Sequence, residues 1–387
     1  MNQNKWRKDR LGSFCTKIGS GSTPRGGDQV YLAEGTPFIR SQNVYNGYFA
    51  LEGIVHIGDE EAKRLNGVTV QKDDVLLNIT GDSVARCCQV PETLLPARVN
   101  QHVAIIRSVP EEIDSKFLMY YLISPFMQST MLSLAGSGGT RNALTKLMVE
   151  SFEIPKPSLR VQEDVVFILS SYDDLIENNR RRIQLLEESA RLLYKEWFVN
   201  LRFPGHEHVK IKNGVPEGWE KKPLGEMLTL QRGFDLPASN RKEGIVPIYA
   251  STGINGYHIE AKVKGPGVVT GRSGSLGTVM YVAEDFWPLN TTLWVKEFMC
   301  VGPHYATHLL SNMQLAQYNG GAAVPTLNRN DVHRIDVIYP SALLLRLFEE
   351  QANDLSIQID VLKKMGEKAE QARDLLLPRL MNGEIAV

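Results

Sequence analysis

The sequence predicts an α/β protein: two globular domains, each a mixed, curled β-sheet with helices, separated by an antiparallel pair of long coiled-coil-like helices in a pseudo-twofold tandem repeat. Three observations carry this reading. First, landmarks recur at fixed offsets. Trp6 stands five residues before Leu11-Gly12 and Trp219 five before Leu224-Gly225, a displacement of 213 positions. Leu144, Pro157-Ser158 and Leu193 return as Leu327, Pro340-Ser341 and Leu376, displaced by 183. Self-similarity of this kind marks a repeated structural unit. Second, the offset changes once. Between the Leu-Gly and later Leu landmarks the first copy runs 133 residues and the second 103, so about thirty residues of difference lie inside while the ends keep step. One frame with two fillings suits two related but non-identical surfaces. Third, each copy ends in a long stretch with apolar residues at threes and fours, the mark of a coiled-coil seam.

Taken in order, residues 1–157 form the first globular domain, 158–203 the first long helix, 204–340 a linker and the second domain, and 341–387 the second long helix and a tail. The domains are rich in Gly, Pro and short apolar runs such as Val75-Leu76-Leu77, Val103-Ala104-Ile105-Ile106 and Gly267-Val268-Val269-Thr270. Such lengths suit strands bounded by turns, with helical patches near 115–134 and 303–317. The first long helix begins after Pro157 with Ser158 as N-cap and runs to about Asn200. Its expected stripe is Ile168, Tyr172, Leu175, Ile176, Leu186, Leu193 and Trp197; that of the second is Leu355, Ile359, Leu362, Ala369, Leu376 and Leu380. Forty helical residues span ~60 Å. Each stripe alone would be exposed, so the two are expected to pair. An approximate twofold would make the pair antiparallel and put the domains at opposite ends of a rod longer than one DNA turn of about 34 Å. Pro378, lacking an N–H, is expected to kink or finish the second helix, with Asn382-Gly383 folding back.

Composition excludes several classes. The chain has 387 residues, more than one hydrophobic core usually serves, and 43% hydrophobic with 22% charged residues is ordinary globular composition. No run of about 18 apolar residues and no secretory leader are present, so a cytoplasmic protein is expected. Cys15, Cys87, Cys88 and Cys300 lack CxxC spacing and are read as reduced, buried thiols. A net charge of -1 argues mildly against a free-standing nucleic-acid binder. Any grip on a polyanion must then come from local clusters or another subunit.

Phe203-Pro204-Gly205-His206-Glu207, Gly214-Val215-Pro216-Glu217-Gly218-Trp219 and Leu376-Leu377-Pro378-Arg379-Leu380-Met381-Asn382-Gly383-Glu384-Ile385, together with Glu34-Gly35-Thr36-Pro37-Phe38-Ile39-Arg40-Ser41-Gln42-Asn43-Val44, resemble the specificity subunit of type I restriction-modification enzymes. The resemblance spans essentially the whole chain. It implies a non-catalytic DNA-reading adaptor with two target-recognition domains. Each reads one half of a bipartite, asymmetric double-stranded DNA target, while the long helices recruit two methyltransferase subunits that methylate adenine. It also implies that S-adenosylmethionine, ATP and Mg belong to partner subunits, with none in this chain, and that restriction subunits join the core.

The residues agree with an adaptor. No Asn-Pro-Pro or Asp-Pro-Pro motif of a base-modifying enzyme occurs. Gly19-Ser20-Gly21-Ser22-Thr23 and Gly271-Arg272-Ser273-Gly274-Ser275-Leu276-Gly277 lack the Lys-Ser/Thr of a phosphate loop, leaving either a DNA-backbone approach or a tight turn. His304 and His308 have metal-ligand spacing without a supporting Glu or cluster, and an ordinary packing or surface role is the better reading. His206 and His208 are expected to shape the linker's return. Arg180-Arg181-Arg182 reads as a solvated face rather than a phosphate contact. Base reading needs Arg, Asn or Gln on loops. Candidates are Arg25, Arg40, Gln42, Asn43, Asn100, Gln101, Arg141 and Asn142 in the first domain. The second offers Arg232, Tyr249, Ser251, Asn255, Arg272, Ser273, Asn290 and Asn319. Asn beside Gly is equally a turn residue. The preferred pair of segments is Gly136-Ser137-Gly138-Gly139-Thr140-Arg141 and Asn319-Gly320-Gly321-Ala322, which occupy equivalent places before the repeated Leu. Trp197-Phe198 and Leu380-Met381 are candidate partner-docking residues or the ends of the coiled-coil core. A scaffold for protein ligands is the alternative from another class; an independent DNA-modifying enzyme is disfavoured by the missing motifs.

Overall fold

Each repeat closes on itself by pairing its first strand with its last. Lys8–Arg10 runs antiparallel to Glu153–Pro155 with Lys8 opposite Pro155, and Glu220–Pro223 runs antiparallel to Asp336–Tyr339 with Lys221 opposite Ile338. These are one register, displaced by 213 positions on one strand and 183 on the other. The Leu-Gly landmark follows directly. Leu11 N–H donates to Phe152 O at 2.8 Å and Leu224 N–H to Ile335 O at 2.9 Å, and both leucines are fully buried.

A computed structural model describes residues 6–136, 142–320 and 325–387. The chain divides into two compact units, Met1–Asn178 joined by Met365–Val387, and Asn179–Lys364. In the first unit an antiparallel sheet runs in the order Cys15–Ser20, Val103–Ser108, Val75–Asn78, Cys87–Gln89. The second unit repeats it as Leu228–Arg232, Thr292–Phe298, Gly267–Gly271, Val279–Val282. Side chains alternate across a strand. Val75, Leu77 and Ile106 therefore join the core built on helix Ser115–Ile123, while Leu76 and Ile105 join Ile39 and Val99 of a second sheet. Burial on both faces explains why these strands read as unbroken apolar runs.

The second sheet of each unit contains one parallel pair, Thr36–Ile39 beside Ala97–Val99 and Val246–Ala250 beside Trp287–Pro288. Here the fillings diverge. Between Val246–Ala250 and Gly253–His258 only Ser251-Thr252 intervene, whereas the first unit inserts a hairpin, Val44–Tyr45 with Tyr48–Phe49, and later a helix, Asp59–Arg64. Much of the thirty-residue difference lies in these additions.

The Pro-Ser landmark starts each long helix in the same way: Gln162 N–H donates to Ser158 O at 3.0 Å and Leu345 N–H to Ser341 O at 3.1 Å. The first helix spans Leu159–Tyr194 and continues as a π-turn over Lys195–Val199; the second spans Ala342–Met381. In the first unit Val165 and Leu169 share a core with Leu377, Leu380 and Met381, and Arg373 donates to Asp173 at 2.8 Å. In the second unit Tyr194, Trp197 and Phe198 share a core with Leu344, Leu345 and Phe348. The later part of one helix thus meets the earlier part of the other, an antiparallel order. The seam in the second helix follows the expected heptad, with Leu362, Ala369 and Leu380 buried. In the first helix Ile176 and Trp197 of the expected stripe are buried and Tyr172, Leu186 and Leu193 partly so, but Leu175 is not on the seam. Val165 and Leu169 are buried while Leu175, expected in the stripe, is 38% exposed, because a seam at alternating threes and fours through Ile176 leaves 175 outside.

Pro378 neither ends nor breaks the second helix, which runs on to Met381. Burial of Leu377, Leu380 and Met381 in the first core holds that last turn together. The stop comes at Gly383, at φ 68°, where Glu384 N–H bonds Arg379 O and Gly383 N–H bonds Leu380 O. This is a Schellman cap, which favours glycine at the left-handed position. In the linker, Gly205 at φ 85° begins a turn in which His206 Nδ1 lies 2.9 Å from Phe203 O.

One glycine in each unit lets the two sheets approach closely. A Cβ on Gly21 would lie 2.0 Å from Val99 O, and one on Gly233 would lie 2.2 Å from Leu289 O, both backbone atoms with no freedom to withdraw. Gly21→Ala and Gly233→Ala are therefore expected to destabilise by several kcal/mol each, on the order of severe core overpacking. Urea denaturation checks this, and an unchanged midpoint for either variant would contradict the close approach.

Candidate nucleic-acid interface

Both copies place a polar cleft at the same point of the frame, where the turn after Val75–Asn78, or after Gly267–Gly271 in the second copy, meets the segment before the repeated Leu. The anchoring bonds are the same. Leu144 N–H donates to Ile79 O at 2.8 Å with Thr80 bridging Ala143, and Leu327 N–H donates to Arg272 O at 2.8 Å with Ser273 bridging Thr326. Around these fixed points the exposed residues differ.

In the first unit the cleft, of ≈ 910 Å³, is lined by Ser41, Gln42, Tyr45, Thr80, Gly81, Asp82, Ser83, Arg86, His102, Asn142 and Ala143. The turn 79–86 joins Val75–Asn78 to Cys87–Gln89 and is closed by Asn78 N–H to Arg86 O at 2.8 Å and Ala85 N–H to Asn78 O at 2.9 Å. Ala85 sits at φ 73°, a conformation a non-glycine residue holds only when its surroundings enforce it. Fully buried Asn78 donates to Ser41 O at 2.9 Å, bringing 41–45 to the cleft, and Thr80 Oγ1 lies 2.6 Å from His102 Nδ1, bringing in 100–102.

In the second unit a smaller cleft, ≈ 330 Å³, is lined by Arg232, Arg272, Leu293, Thr326, Leu327, Asn328 and Arg329. Arg272 donates to Asn290 O at 3.4 Å, and Arg232 lies 3.8 Å from Asp235. Three guanidinium groups around one small cleft suit phosphate oxygens or guanine edges, which accept paired hydrogen bonds.

Of the first-domain candidates, Gln42 and Asn142 line the cleft and are exposed, and Gln101 reaches it through His102, with nitrogens 3.1 Å apart. Arg25 is exposed on the loop after Cys15–Ser20. Arg40 has a local role: it donates to Gly53 O at 2.8 Å and lies over Tyr31. Asn43 must be corrected. It is fully buried, accepts from Arg40 N–H at 3.0 Å and donates to Ala50 O and Glu52 O, so its amide is inaccessible to a base. Asn100 is 7% exposed and accepts from His102 N–H. Gly138, Gly139, Thr140 and Arg141 lie outside the described residues, as do Gly321 and Ala322.

In the second domain Arg232 and Arg272 come together, with Ser273 beside them. Asn290 donates to Asp235, and Asn319 Oδ1 accepts from Thr326 N–H at 2.9 Å while Gly320 N–H donates to Thr326 O at 3.0 Å. Tyr249 is half-buried against Phe286, Ser251 is 8% exposed beneath the glycine turn, and Asn255 is exposed on Gly253–His258. The residues missed from sequence are Tyr45, Thr80, Asp82, Ser83, Arg86 and His102 in the first cleft and Thr326, Asn328 and Arg329 in the second. Tyr45-Asn46-Gly47-Tyr48 carried a legible signal, since Asn-Gly between β-formers marks a tight hairpin. The approach of Arg86 had none.

Trp197, Phe198, Leu380 and Met381 are corrected as docking candidates. They are 7%, 8%, 1% and 2% exposed and belong to the cores of their units, so burial in this chain already satisfies their apolar surface. His304 stacks on Tyr281 at 4.4 Å and His308 on Tyr194 at 5.5 Å. Among the described residues no cluster of three or more His, Cys, Asp or Glu is arranged for a metal, and no helix is long and apolar enough to cross a membrane. Arg180, Arg181 and Arg182 are exposed.

A duplicated sheet-and-helix domain, with a differently furnished polar cleft in each copy, defines a tandem recognition protein. Residues 3–188 and 216–367 match the type I restriction modification DNA specificity domain, and the chain belongs to that family. It is similar to the type I restriction enzyme MjaIX specificity subunit of Methanocaldococcus jannaschii, 26% identical over 96% of this chain and 91% of the relative. The HindI specificity subunit of Haemophilus influenzae is 22% identical over 90% and 94% of the two chains. The crystal structure of a type I restriction-modification S subunit from M. genitalium shares the fold, with a TM-score of 0.61 at 20% identity over 98% of this chain and 97% of that one. DNA sequence recognition within a restriction-modification complex is the role this membership carries.

Burial lowers the pKa of His308 to about 4 from 6.5, so the folded state holds it neutral. The unfolded chain takes up the proton first as pH falls. The stabilisation from this site is complete above about pH 6.5 and is lost progressively down to about pH 4, amounting to about 3 kcal/mol. Denaturation of wild type and His308→Phe across pH 7 to 4 is expected to show a smaller acid loss in the variant, and parallel curves would contradict the assignment.

Proposed function

We propose that this chain reads a bipartite, asymmetric double-stranded DNA target, one half per domain, and presents it to two methyltransferase subunits that carry S-adenosylmethionine and methylate adenine. The observation that carries the reading is the pair of clefts: one location in the repeat, two different sets of hydrogen-bonding residues. Identical half-sites would call for identical clefts. The antiparallel long helices act as the spacer between half-sites and, on this reading, the platform for the partner subunits. Trp197, Phe198, Leu380 and Met381 hold that platform together from inside. Restriction subunits using ATP and Mg would join the same core. This chain contributes binding and register rather than bond chemistry, and the domains are taken as 1–157 and 204–340 with helices 158–203 and 341–387.

Near-neutral net charge is compatible with this division of labour, because methyltransferase subunits can supply much of the electrostatic clamp. Sequence would then be read locally, through Gln42, Asn142 and Gln101 in the first cleft and Arg232, Arg272 and Arg329 in the second.

Co-expression with the partner methyltransferase, followed by mapping of methylated adenines in host DNA, tests the proposal. The expected result is a single bipartite motif of which one half changes when residues 1–157 are exchanged for those of a relative. No complex and no motif would favour the protein-ligand scaffold. Arg272→Ala and Arg329→Ala are each expected to weaken recognition of one half-site by about 1–3 kcal/mol and leave the other intact. Binding titrations against duplexes mutated in either half check this, and equal loss in both halves would sink the division.

A further inference from the structure

The first domain carries a hairpin that the second lacks, and it borders the cleft. Tyr45 and Tyr48 face each other across Asn46-Gly47, with ring centroids 6.2 Å apart, 40% and 48% exposed. Their exposed faces offer a flat apolar surface with a polar tip beside the cleft. The hairpin is rigidly seated. Gly47 N–H donates to Cys87 O at 2.8 Å, Asn46 Oδ1 accepts from Cys87 N–H at 3.2 Å, and Asn46 contacts Gln128 at 3.2 Å.

The residue next to that anchor is Arg86. Its guanidinium carbon lies 4.7 Å from the centre of the Tyr45 ring, a cation–π contact that holds the planar group while leaving its N–H edge free. Among the described residues the Arg86 side chain has neither a carboxylate nor a hydrogen-bond acceptor, although Asp82 lines the same cleft. The matching strand position in the second domain is Thr278: Asn78 N–H bonds Arg86 O as Gly271 N–H bonds Thr278 O. The device is therefore specific to one copy.

Resting on the DNA-reading function proposed above, we propose that Arg86, held by Tyr45, reads the O6/N7 edge of a guanine in the half-site of the first domain. Arginine is the side chain whose fork matches those two acceptors, and a stacked arginine meets them preorganised. Asp82 and Gln42, which line the same cleft, provide an acceptor for a cytosine amino group and a donor–acceptor pair for an adjoining base. Tyr45 is a positioning residue, and its ring, rather than its hydroxyl, carries the effect.

The test uses the complex of the full chain with its methyltransferase subunit. Arg86→Ala, Arg86→Lys, Tyr45→Phe and Tyr45→Ala are compared by methylation mapping and by binding to duplexes substituted at each base pair. Arg86→Ala is expected to lose roughly tenfold to a hundredfold affinity and all discrimination at one G·C position of one half-site, with the other half read normally. Arg86→Lys should keep part of the affinity but less of the discrimination, Tyr45→Phe should behave as wild type, and Tyr45→Ala should fall between. Normal reading of the second half is the internal control that the variants fold. Unchanged discrimination in Arg86→Ala, with a bipartite wild-type motif, overturns this inference alone. So does a loss spread evenly over all positions, which marks a phosphate contact. Absence of any wild-type motif overturns the DNA-reading function and the inference together.

Discussion

Long amphipathic helices cannot stand alone in water, and the arrangement of this chain follows from how that constraint is met. Helices of 36 and 40 residues each carry an apolar seam, and each buries half of it in one unit and half in the other. In the first unit Val165 and Leu169 meet Leu377, Leu380 and Met381; in the second Tyr194, Trp197 and Phe198 meet Leu344, Leu345 and Phe348. The same cores contain the inner face of the main sheet. Neither unit therefore has a complete core without segments from distant parts of the chain. Polar bonds fix how the domain meets the helices: Tyr120 donates to Asp173 at 2.5 Å in the first unit, and Glu349 accepts from Tyr305 N–H at 2.6 Å in the second.

With the frame held this way, the clefts are free to differ. The hydrogen bonds at their base involve backbone atoms, as in Leu144 to Ile79 and Leu327 to Arg272, and backbone bonds tolerate any side chain. Exposed residues beside these fixed points can change without cost to the core, whereas Val84 and Ala85 of the same turn belong to it. One copy thus presents Gln42, Asp82 and Asn142, the other three arginines. Additions such as the Val44–Phe49 hairpin extend the surface without disturbing the shared register.

Much of the fold was legible because its signals are local or periodic. The repeat offsets, the apolar strand runs, the helical patches and the heptad of the second helix each depend on a few residues in a fixed spacing. Errors arose where packing overrides local preference. Pro378 continues a helix because the core holds the next turn, and Leu175 faces outward because the seam passes through its neighbour Ile176. Sites were less legible. Asn43 has the chemistry of a base reader but caps a turn from inside the core, while Arg86 comes to the cleft through a strained turn at Ala85 that composition does not announce.

By itself, then, the sequence determined that the protein is a tandem repeat of mixed domains with two long helices, since spacing and periodicity are properties of the chain alone. It also determined the family, through motifs strung in a fixed order. Only the tertiary structure decided which polar side chains share a cleft and which are buried. Ser41, Thr80, His102 and Asn142 converge through hydrogen bonds between segments far apart in sequence, and no local rule encodes a contact across such distances.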